Sequence, residues 1–463
     1  MDLKNTEALV EQRLRSMSSD KRAKLSLECD RQAKLEGLEM GGQPISYLNV
    51  PVLFDRSEYQ LLSARLANLL DCFVDLEEFS LTLKGAPIHA RLMESLTPGG
   101  RHLVNQCTHE SRASLVRRMR RIDGFWDPQT SQYSVIEINQ AAPLGLHNHD
   151  ALRRITSMVL AEVGVDNPTP SIAPQILEWF RLEFSDRGRQ GLPRHVALVI
   201  EHGYPGKFAD LPPIAQAIEK LAASTWGAEL QITVCFPYDI SLQNGNAVLN
   251  GKVVDMIWRN SVYMTTYREQ NLPISDYESI LSHHEDFIVI NSTRSWLTRT
   301  KETLALFWDD AACSALGLGE EDRDAVRRLL PRTVNLKYSP EARNEICRDR
   351  GAWVSKPTDS GFGQGVEFGV NHSTQSWSAL VSERSKEGFV FQKRVEASRR
   401  RALAIEPDGG LSERFLELDF CPQHVAGHFS GTAVVRGFPM SEHSAAEPMN
   451  LSRGAVLCHA AFV

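Results

Sequence analysis

A lysine that ends a short apolar run and is followed at once by a glycine-dense loop constrains this chain more than any other feature: Trp353-Val354-Ser355-Lys356-Pro357-Thr358-Asp359-Ser360-Gly361-Phe362-Gly363-Gln364-Gly365-Val366. Glycines at 361, 363 and 365 let the backbone take positive φ and approach a ligand closely, so successive N–H groups can point at phosphate oxygens while Lys356 supplies a point charge. The phosphate reading therefore takes in Lys356 and the loop Ser360, Gly361, Phe362, Gly363, Gln364 and Gly365. A Walker loop reads G-x-x-x-x-G-K-S/T, and a dinucleotide loop reads G-x-G-x-x-G and opens a helix. Here the lysine precedes the glycines, and Val366-Glu367-Phe368 reads as a strand. What remains is a strand–loop–strand flap over phosphates, with an ordinary glycine-rich hairpin carrying an exposed lysine as the plain alternative.

A second constellation lies far upstream. In the segment from Arg121 to Asn139, two extended runs flank a polar turn containing Pro128, which reads as a β-hairpin. Side chains alternate along a strand, so Arg121 and Asp123 share one face of the first strand and Glu137 and Asn139 share one face of the second. Asp, Glu and Asn oxygens suit a hard cation, and Mg²⁺ takes one or two carboxylates together with substrate phosphates and waters. Asp123, Glu137 and Asn139 are therefore candidate Mg²⁺ ligands; solvated carboxylates at strand ends are the plain reading.

Bulk properties bound the rest. A chain of 463 residues has room for two or three domains and ample core. A net charge of −7 argues against a general nucleic-acid binder. Arg117-Arg118-Met119-Arg120-Arg121 and Arg399-Arg400-Arg401 are short basic runs read as mostly solvated. Eight scattered cysteines without a C-x-x-C pair read as buried or free thiols in a reducing compartment. The amino-terminal stretch is Lys/Glu-rich rather than signal-like, and no run approaches the ~20 apolar residues of a membrane-spanning helix. The expectation is a cytoplasmic protein with no membrane and no nucleic-acid partner.

Along the chain, residues 1–45 read as a helical extension, free to pack outside the core or to support a homo-oligomer, followed by a helix from Ser57 to Cys72. Pro168, Pro170 and Pro174 mark a boundary. The buried run from His195 to Ile200 ends in a turn at Gly203-Tyr204-Pro205-Gly206; a helix from Pro212 to Ala223 and a strand from Leu230 to Cys235 follow, so a small parallel α/β unit is expected between about 190 and 295. A helix starting near Lys301, with Leu304, Leu306, Phe307 and Ala311, leads into the flap.

Together these motifs resemble the ATP-grasp ligases, in particular the circularly permuted branch of glutathionylspermidine synthetase, in which an R-x-D strand and an E-x-N strand precede the lysine–glycine flap. The resemblance continues through Val254 to Asn260, Val289-Ile290-Asn291-Ser292 with Thr300-Lys301-Glu302, Leu330 to Thr333, Phe391-Gln392-Lys393-Arg394-Val395, and Gly427 to Gly431 with Val435-Arg436 and Asn450 to Gly454. It implies a mixed α+β and α/β chain: an ATP-grasp fold in permuted order with a small parallel pre-ATP-grasp-like domain. The implied parts are core with the metal strands over 46–165, the α/β domain over 166–298, the ATP-binding flap over 299–390 and closing strands over 391–463.

The resemblance also implies roles. ATP and Mg²⁺ are the cofactors, and Asp123, Glu137 and Asn139 are similar to the metal ligands. Lys301 and Lys356 match two lysines that touch nucleotide phosphates. Gln392, Lys393 and Val395 lie on the strand that clamps adenine, although relatives often read Gln-Glu where this chain has Gln392-Lys393. Arg121 matches the cation facing the reacting phosphoryl and acyl groups. Arg436 and Arg259 are candidates for holding a substrate carboxylate, with structural ion pairs as the alternative. His147 and His149 are read as lining the substrate pocket rather than as an H-x-H-D metallohydrolase motif, and His283-His284-Glu285-Asp286 has no spaced partner set. The expected activity is ligation of a small carboxylate and an amine, amino acid or peptide, through an acyl phosphate with release of ADP and phosphate. A phosphotransferase on the same fold and a non-catalytic nucleotide-binding protein are the competitors.

Overall fold

The computed structural model describes residues 3–40, 43–107, 110–127, 130–141, 143, 145–200, 211–260, 270–283, 286–361, 363–386, 388–439, 447–448, 451 and 454–463. Its largest sheet has seven strands in the spatial order Val52–Phe54, Val456–Phe462, His428–Pro439, Leu411–Val425, Arg120–Asp127, Gln132–Asn139, with Ser398–Ile405 pairing the first half of Leu411–Val425. All neighbours are antiparallel except Val456–Phe462 beside Val52–Phe54.

Both faces of this sheet are covered. On one, Phe54, Trp126, Phe420 and Phe462 pack against the helix Arg56–Ser80, whose Leu62, Leu66, Leu69, Phe73 and Leu76 recur at helical spacing. Asp55 starts that helix by accepting the Glu58 N–H at 3.0 Å. Phe420 is a keystone here, packed at tilted and edge-on angles against Phe54, Trp126 and Phe462, and its replacement by Ala should cost about 3–5 kcal/mol. On the other face, Leu152, Ile155 and Val159 of the helix Leu146–Glu162 cover Cys421, Val434 and Leu457, and the helices Leu3–Ser16 and Ser19–Leu35 add Val10, Leu14, Leu25 and Cys29 to the same cluster.

The parallel sheet expected between about 190 and 295 is present, in the order Val289–Ile290, Met256–Asn260, His195–Ile200, Gln231–Cys235. Helices Ala173–Asp186 and Leu211–Trp226 bury one face of it. A small antiparallel meander, Ile240–Gln243, Asn246–Leu249 and Lys252–Val253, interrupts the parallel strands and was not anticipated. The turn at 203–206 lies outside the described residues.

The flap region is a four-stranded antiparallel sheet, Thr333–Val334, Phe389–Lys393, Trp353–Pro357, Glu367–Phe368, closed by Trp353, Trp377 and Phe391 beneath helices Arg343–Arg348 and Thr374–Arg384. Only Glu367 and Phe368 of the expected second flap strand are paired. The single helix expected from Lys301 is two, Glu302–Leu306 and Asp310–Ala315, because the Asp309 side chain accepts the N–H groups of Ala311 and Ala312 and starts a new helix. Among the described residues no helix is long and apolar enough to cross a membrane.

One composition-based expectation fails. Arg118 and Arg120 are 1% and 2% exposed, and Arg117 is also buried. Arg118 is held between Glu77 and Glu110, while Arg120 donates to Gln140 and to the carbonyls of Leu115 and Val116. Burial of arginine is tolerated where its fork of donors is satisfied in this way.

Candidate active site

The hairpin read from the sequence is the pair Arg120–Asp127 and Gln132–Asn139, and its register puts Arg121 opposite Asn139 and Asp123 opposite Glu137. The ladder slips between Asp123 and Gly124. A Cβ on Gly124 would lie 2.5 Å from the Ser134 carbonyl oxygen and 2.6 Å from the Tyr133 ring, so only glycine allows the slip. The residue left over is Ile136, and its carbonyl oxygen lies 3.5 Å from Lys356 Nζ.

Strand pairing brings further charges to this face. Asp419 pairs with Arg436 across neighbouring strands, and Gln423 is opposite Arg121. Arg121 donates to both oxygens of Asp123 at 2.7 and 2.8 Å; Arg436 donates to Asp123 Oδ2 at 3.2 Å and to Asp419 Oδ2. Burial pushes the Asp123 carboxyl upward, but the guanidinium groups of Arg121 and Arg436, with a hydrogen bond from Asn139, outweigh it and hold the group below its usual range. For Asp419 burial wins, and its carboxyl is raised. Asp419 escaped the sequence reading; its place in the alternating run Leu416-Glu417-Leu418-Asp419-Phe420 was the available signal.

Two lysines arrive from other parts of the chain. Lys301 Nζ donates to Glu137 Oε1 at 3.1 Å and to the Ser360 carbonyl at 2.9 Å, joining the hairpin to the glycine loop. Lys356 Nζ donates to Gln392 Oε1 at 2.6 Å, and Gln392 in turn donates to Thr333 Oγ1. Burial, reinforced by the nearby Lys301, lowers the Lys356 ammonium to about 8. The loop base is anchored as well: the Asp359 carboxylate accepts from the backbone and hydroxyl of Thr97, and the Thr358 carbonyl accepts from Lys301 N–H at 3.0 Å. Gly363 and Gly365 both have φ of +69°, the conformation that favours glycine; Phe362 lies outside the described residues.

The structure thus brings Arg121, Asp123, Glu137, Asn139, Lys301, Lys356, Gln392 and Arg436 together with the flap loop. It engages other candidates elsewhere. Arg259 is buried and donates to the carbonyls of Asn291, Ala141 and Ser292 and to Ser295 Oγ, stitching the end of the parallel sheet to Ala141, two residues past the hairpin. Burial lowers its guanidinium to about 10. His149 has its two ring nitrogens against the carbonyls of Ala433 and Pro170, and His147 is buried in the same first turn of Leu146–Glu162. The side chain of Lys393 turns to Asp349 and Glu345 and lies over the Trp353 ring, while its backbone N–H donates to the Arg332 carbonyl. Val395 follows in the segment after that strand.

The donor set fits the groups the resemblance implies. Four cations (Arg121, Arg436, Lys301 and Lys356) face three carboxylates (Asp123, Glu137 and Asp419), an excess of positive charge suited to a polyanion. Among the described residues no group of three or more His, Cys, Asp or Glu is placed to hold a metal. Two carboxylates and an amide form a set that suits Mg²⁺ completed by phosphate oxygens and waters, and does not suit zinc.

No family model matches the chain, and no curated protein matches it. Among solved structures it is similar to the apo form of a glutathione synthetase-like effector from Globodera pallida, with 12% identity and a TM-score of 0.59 over 97% of this chain and 98% of that one. The two share a fold, a mixed α+β arrangement of several sheets and helices. At this identity the likeness speaks to the fold alone. D-alanyl-alanine synthetase A from Vibrio cholerae aligns over 57% of this chain and 87% of that one at 7% identity, and its TM-score of 0.26 carries no argument.

Proposed function

We propose that this chain is an ATP-dependent carboxylate–amine ligase that forms an amide or peptide bond through an acyl phosphate, releasing ADP and phosphate, on an ATP-grasp fold in circularly permuted order. The observation that carries the reading is the convergence of Asp123, Glu137 and Asn139 with Arg121, Arg436, Lys301 and Lys356 on one face of the large sheet, beneath the glycine loop.

Each residue has work to do in that reaction. Lys356 and Lys301 offset the charge of the terminal phosphates, so an incoming carboxylate is not repelled. Mg²⁺ held by Asp123, Glu137 and Asn139 would neutralise further phosphate charge. The substrate carboxylate oxygen attacks the γ-phosphorus while the bond to ADP breaks. The amine then attacks the acyl carbon, phosphate leaves with the acyl C–O bond's electron pair, and the amine's proton passes to solvent. Arg121 polarises the acyl oxygen, and Arg436, held between two carboxylates, keeps Asp123 in place. The loop Ser360 to Gly365 covers the phosphates and excludes water.

The test is a panel of free amino acids, small peptides and other carboxylic acids, each with a panel of amines, screened for ADP release and followed by mass spectrometry of the product. The expected result is an amide with ADP and inorganic phosphate. AMP and pyrophosphate would overturn the acyl-phosphate mechanism, a stable phosphorylated acceptor would make the protein a phosphotransferase, and no turnover with any acceptor would make it a nucleotide-binding protein.

A further inference from the structure

The root of the glycine loop is held by a carboxylate that no step of the proposed reaction uses. Asp359 is buried, and its Oδ2 accepts from the Thr97 N–H at 2.9 Å, the Thr97 hydroxyl at 2.7 Å and the Trp296 indole N–H at 3.3 Å. The Thr97 hydroxyl gives its one proton to Asp359 and accepts the Gly100 N–H at 3.2 Å, so the chain of bonds is balanced. Arg299 lies over the Trp296 ring, 4.1 Å from its centroid, and brings Nη2 to 3.6 Å from Asp359 Oδ1. A Cβ on Gly100 would be 2.9 Å from Asp359 Oδ2 and 2.5 Å from Trp296 Nε1, so only glycine fits beside the carboxylate. Burying a carboxylate is unfavourable unless its acceptors are matched, and three donors and a guanidinium match this one.

What the anchor controls follows from its two chain neighbours. The Thr358 carbonyl accepts the Lys301 N–H at 3.0 Å, and the Ser360 carbonyl accepts from Lys301 Nζ at 2.9 Å. Residue 359 thus lies between the two oxygens that fix Lys301, one at its backbone and one at its ammonium. Its own partners belong to the packed core: Thr97 is the N-cap of the helix Pro98–Asn105, whose Leu103 and Val104 share a hydrophobic cluster with Trp296. Without this tie Ser360 can shift, and the Lys301 ammonium keeps only Glu137, a candidate Mg²⁺ ligand, at 3.1 Å.

Resting on the ligase reading above, we infer that Asp359 is a positioning residue: it ties the root of the glycine loop to the core so that Ser360 keeps the Lys301 ammonium available to nucleotide phosphates instead of collapsed onto Glu137.

The test uses the full chain carrying Asp359→Ala or the shape-conserving Asp359→Asn, each alone and combined with Lys301→Met. Calorimetric titration with Mg²⁺ and a non-hydrolysable ATP analogue should show Asp359→Ala weakening the nucleotide roughly tenfold, with Asp359→Asn intermediate. Either change should weaken it by less than about twofold once Lys301 is replaced, because the effect runs through that lysine. Hydrogen exchange of the apo protein should quicken at Lys301 and Thr358, whose amides bond across the loop root, and stay unchanged in the strand Leu411–Val425. Equal losses of affinity with and without Lys301, wild-type affinity in Asp359→Ala, or exchange that rises everywhere alike would reduce Asp359 to a stability contact and overturn the inference. Should Asp359→Ala not fold, Asp359→Asn carries both measurements. Wild-type protein that binds no nucleotide overturns the ligase reading and the inference together, whereas wild-type binding with uncoupled losses overturns the inference alone.

Discussion

The hairpin and the flap reach the same site with opposite electrostatic designs. In the hairpin, both candidate metal-binding carboxylates already have a cation: Asp123 is shared by Arg121 and Arg436, and Glu137 is paired with Lys301. In the flap, Lys356 hydrogen-bonds the neutral oxygens of Gln392 and Ile136, and burial lowers its ammonium against the opposing pull of Glu137 and Asp123. The hairpin is a frame whose charges are ion-paired with one another, whereas the flap carries a cation that hydrogen-bonds neutral oxygens and feels Glu137 and Asp123 only at longer range. Preorganised charges serve the transition state, and an under-compensated charge serves binding.

Four measurements break or sharpen that contrast. The largest effect should come from Arg121→Ala, which removes the cation proposed to face the reacting group: turnover should fall by roughly 10²–10³-fold with little change in ATP affinity. A fall in ATP affinity as large as the fall in turnover would place Arg121 in nucleotide binding instead. Next, Glu137→Gln and Asn139→Asp should each lower Mg²⁺-dependent activity by at least about 10-fold while the melting temperature stays near wild type. Unchanged activity of both across a Mg²⁺ titration would make the hairpin purely structural.

Lys356→Ala should act on the other side of the contrast, weakening ATP by about 10-fold, as expected for loss of a hydrogen bond to a charged group, without loss of fold. Calorimetric titration of ATP gives this directly, and wild-type binding would remove the flap from the site. The smallest effect is in pH. The folded-state value of Lys356 is lowered to about 8 from an ordinary 10.5, so between those values the unfolded chain binds the extra proton and apo stability should rise with pH. Phosphate binding needs the protonated amine, so ATP affinity should fall as pH climbs through about 8. Lys356→Arg should flatten both profiles, and a wild-type profile that is already flat would mean that Lys356 keeps an ordinary ammonium.

The comparison also explains which parts were legible in advance. Hairpin strands alternate locally, and Arg121, Asp123, Glu137 and Asn139 could be placed on faces from their spacing alone. The strands His195–Ile200 and Gln231–Cys235 were visible as apolar runs, and apolar periodicity over 57–72 and 212–223 marked most of the helices Arg56–Ser80 and Leu211–Trp226. The three-stranded meander was missed because strands of two to four residues carry too little pattern. The buried arginines 117, 118 and 120 were misread for a different reason: a basic run looks solvated until the carboxylates and carbonyls that satisfy it are known, and Glu77 and Glu110 come from other segments.

By itself the sequence determined the local chemistry: a lysine before a glycine loop, two acidic strands at a tight turn, and a net charge that speaks against nucleic acid. Only the tertiary structure decided which of these groups meet. Lys301 reaches Glu137 across 164 residues, Arg436 reaches Asp123 across 313, and Asp419 and Gln423 join the face through pairings that no local pattern encodes. The reason is physical. Alternation sets the face on which a side chain lies, but long-range strand register, chosen by burial of the aromatic and aliphatic faces of the sheet, sets its neighbours.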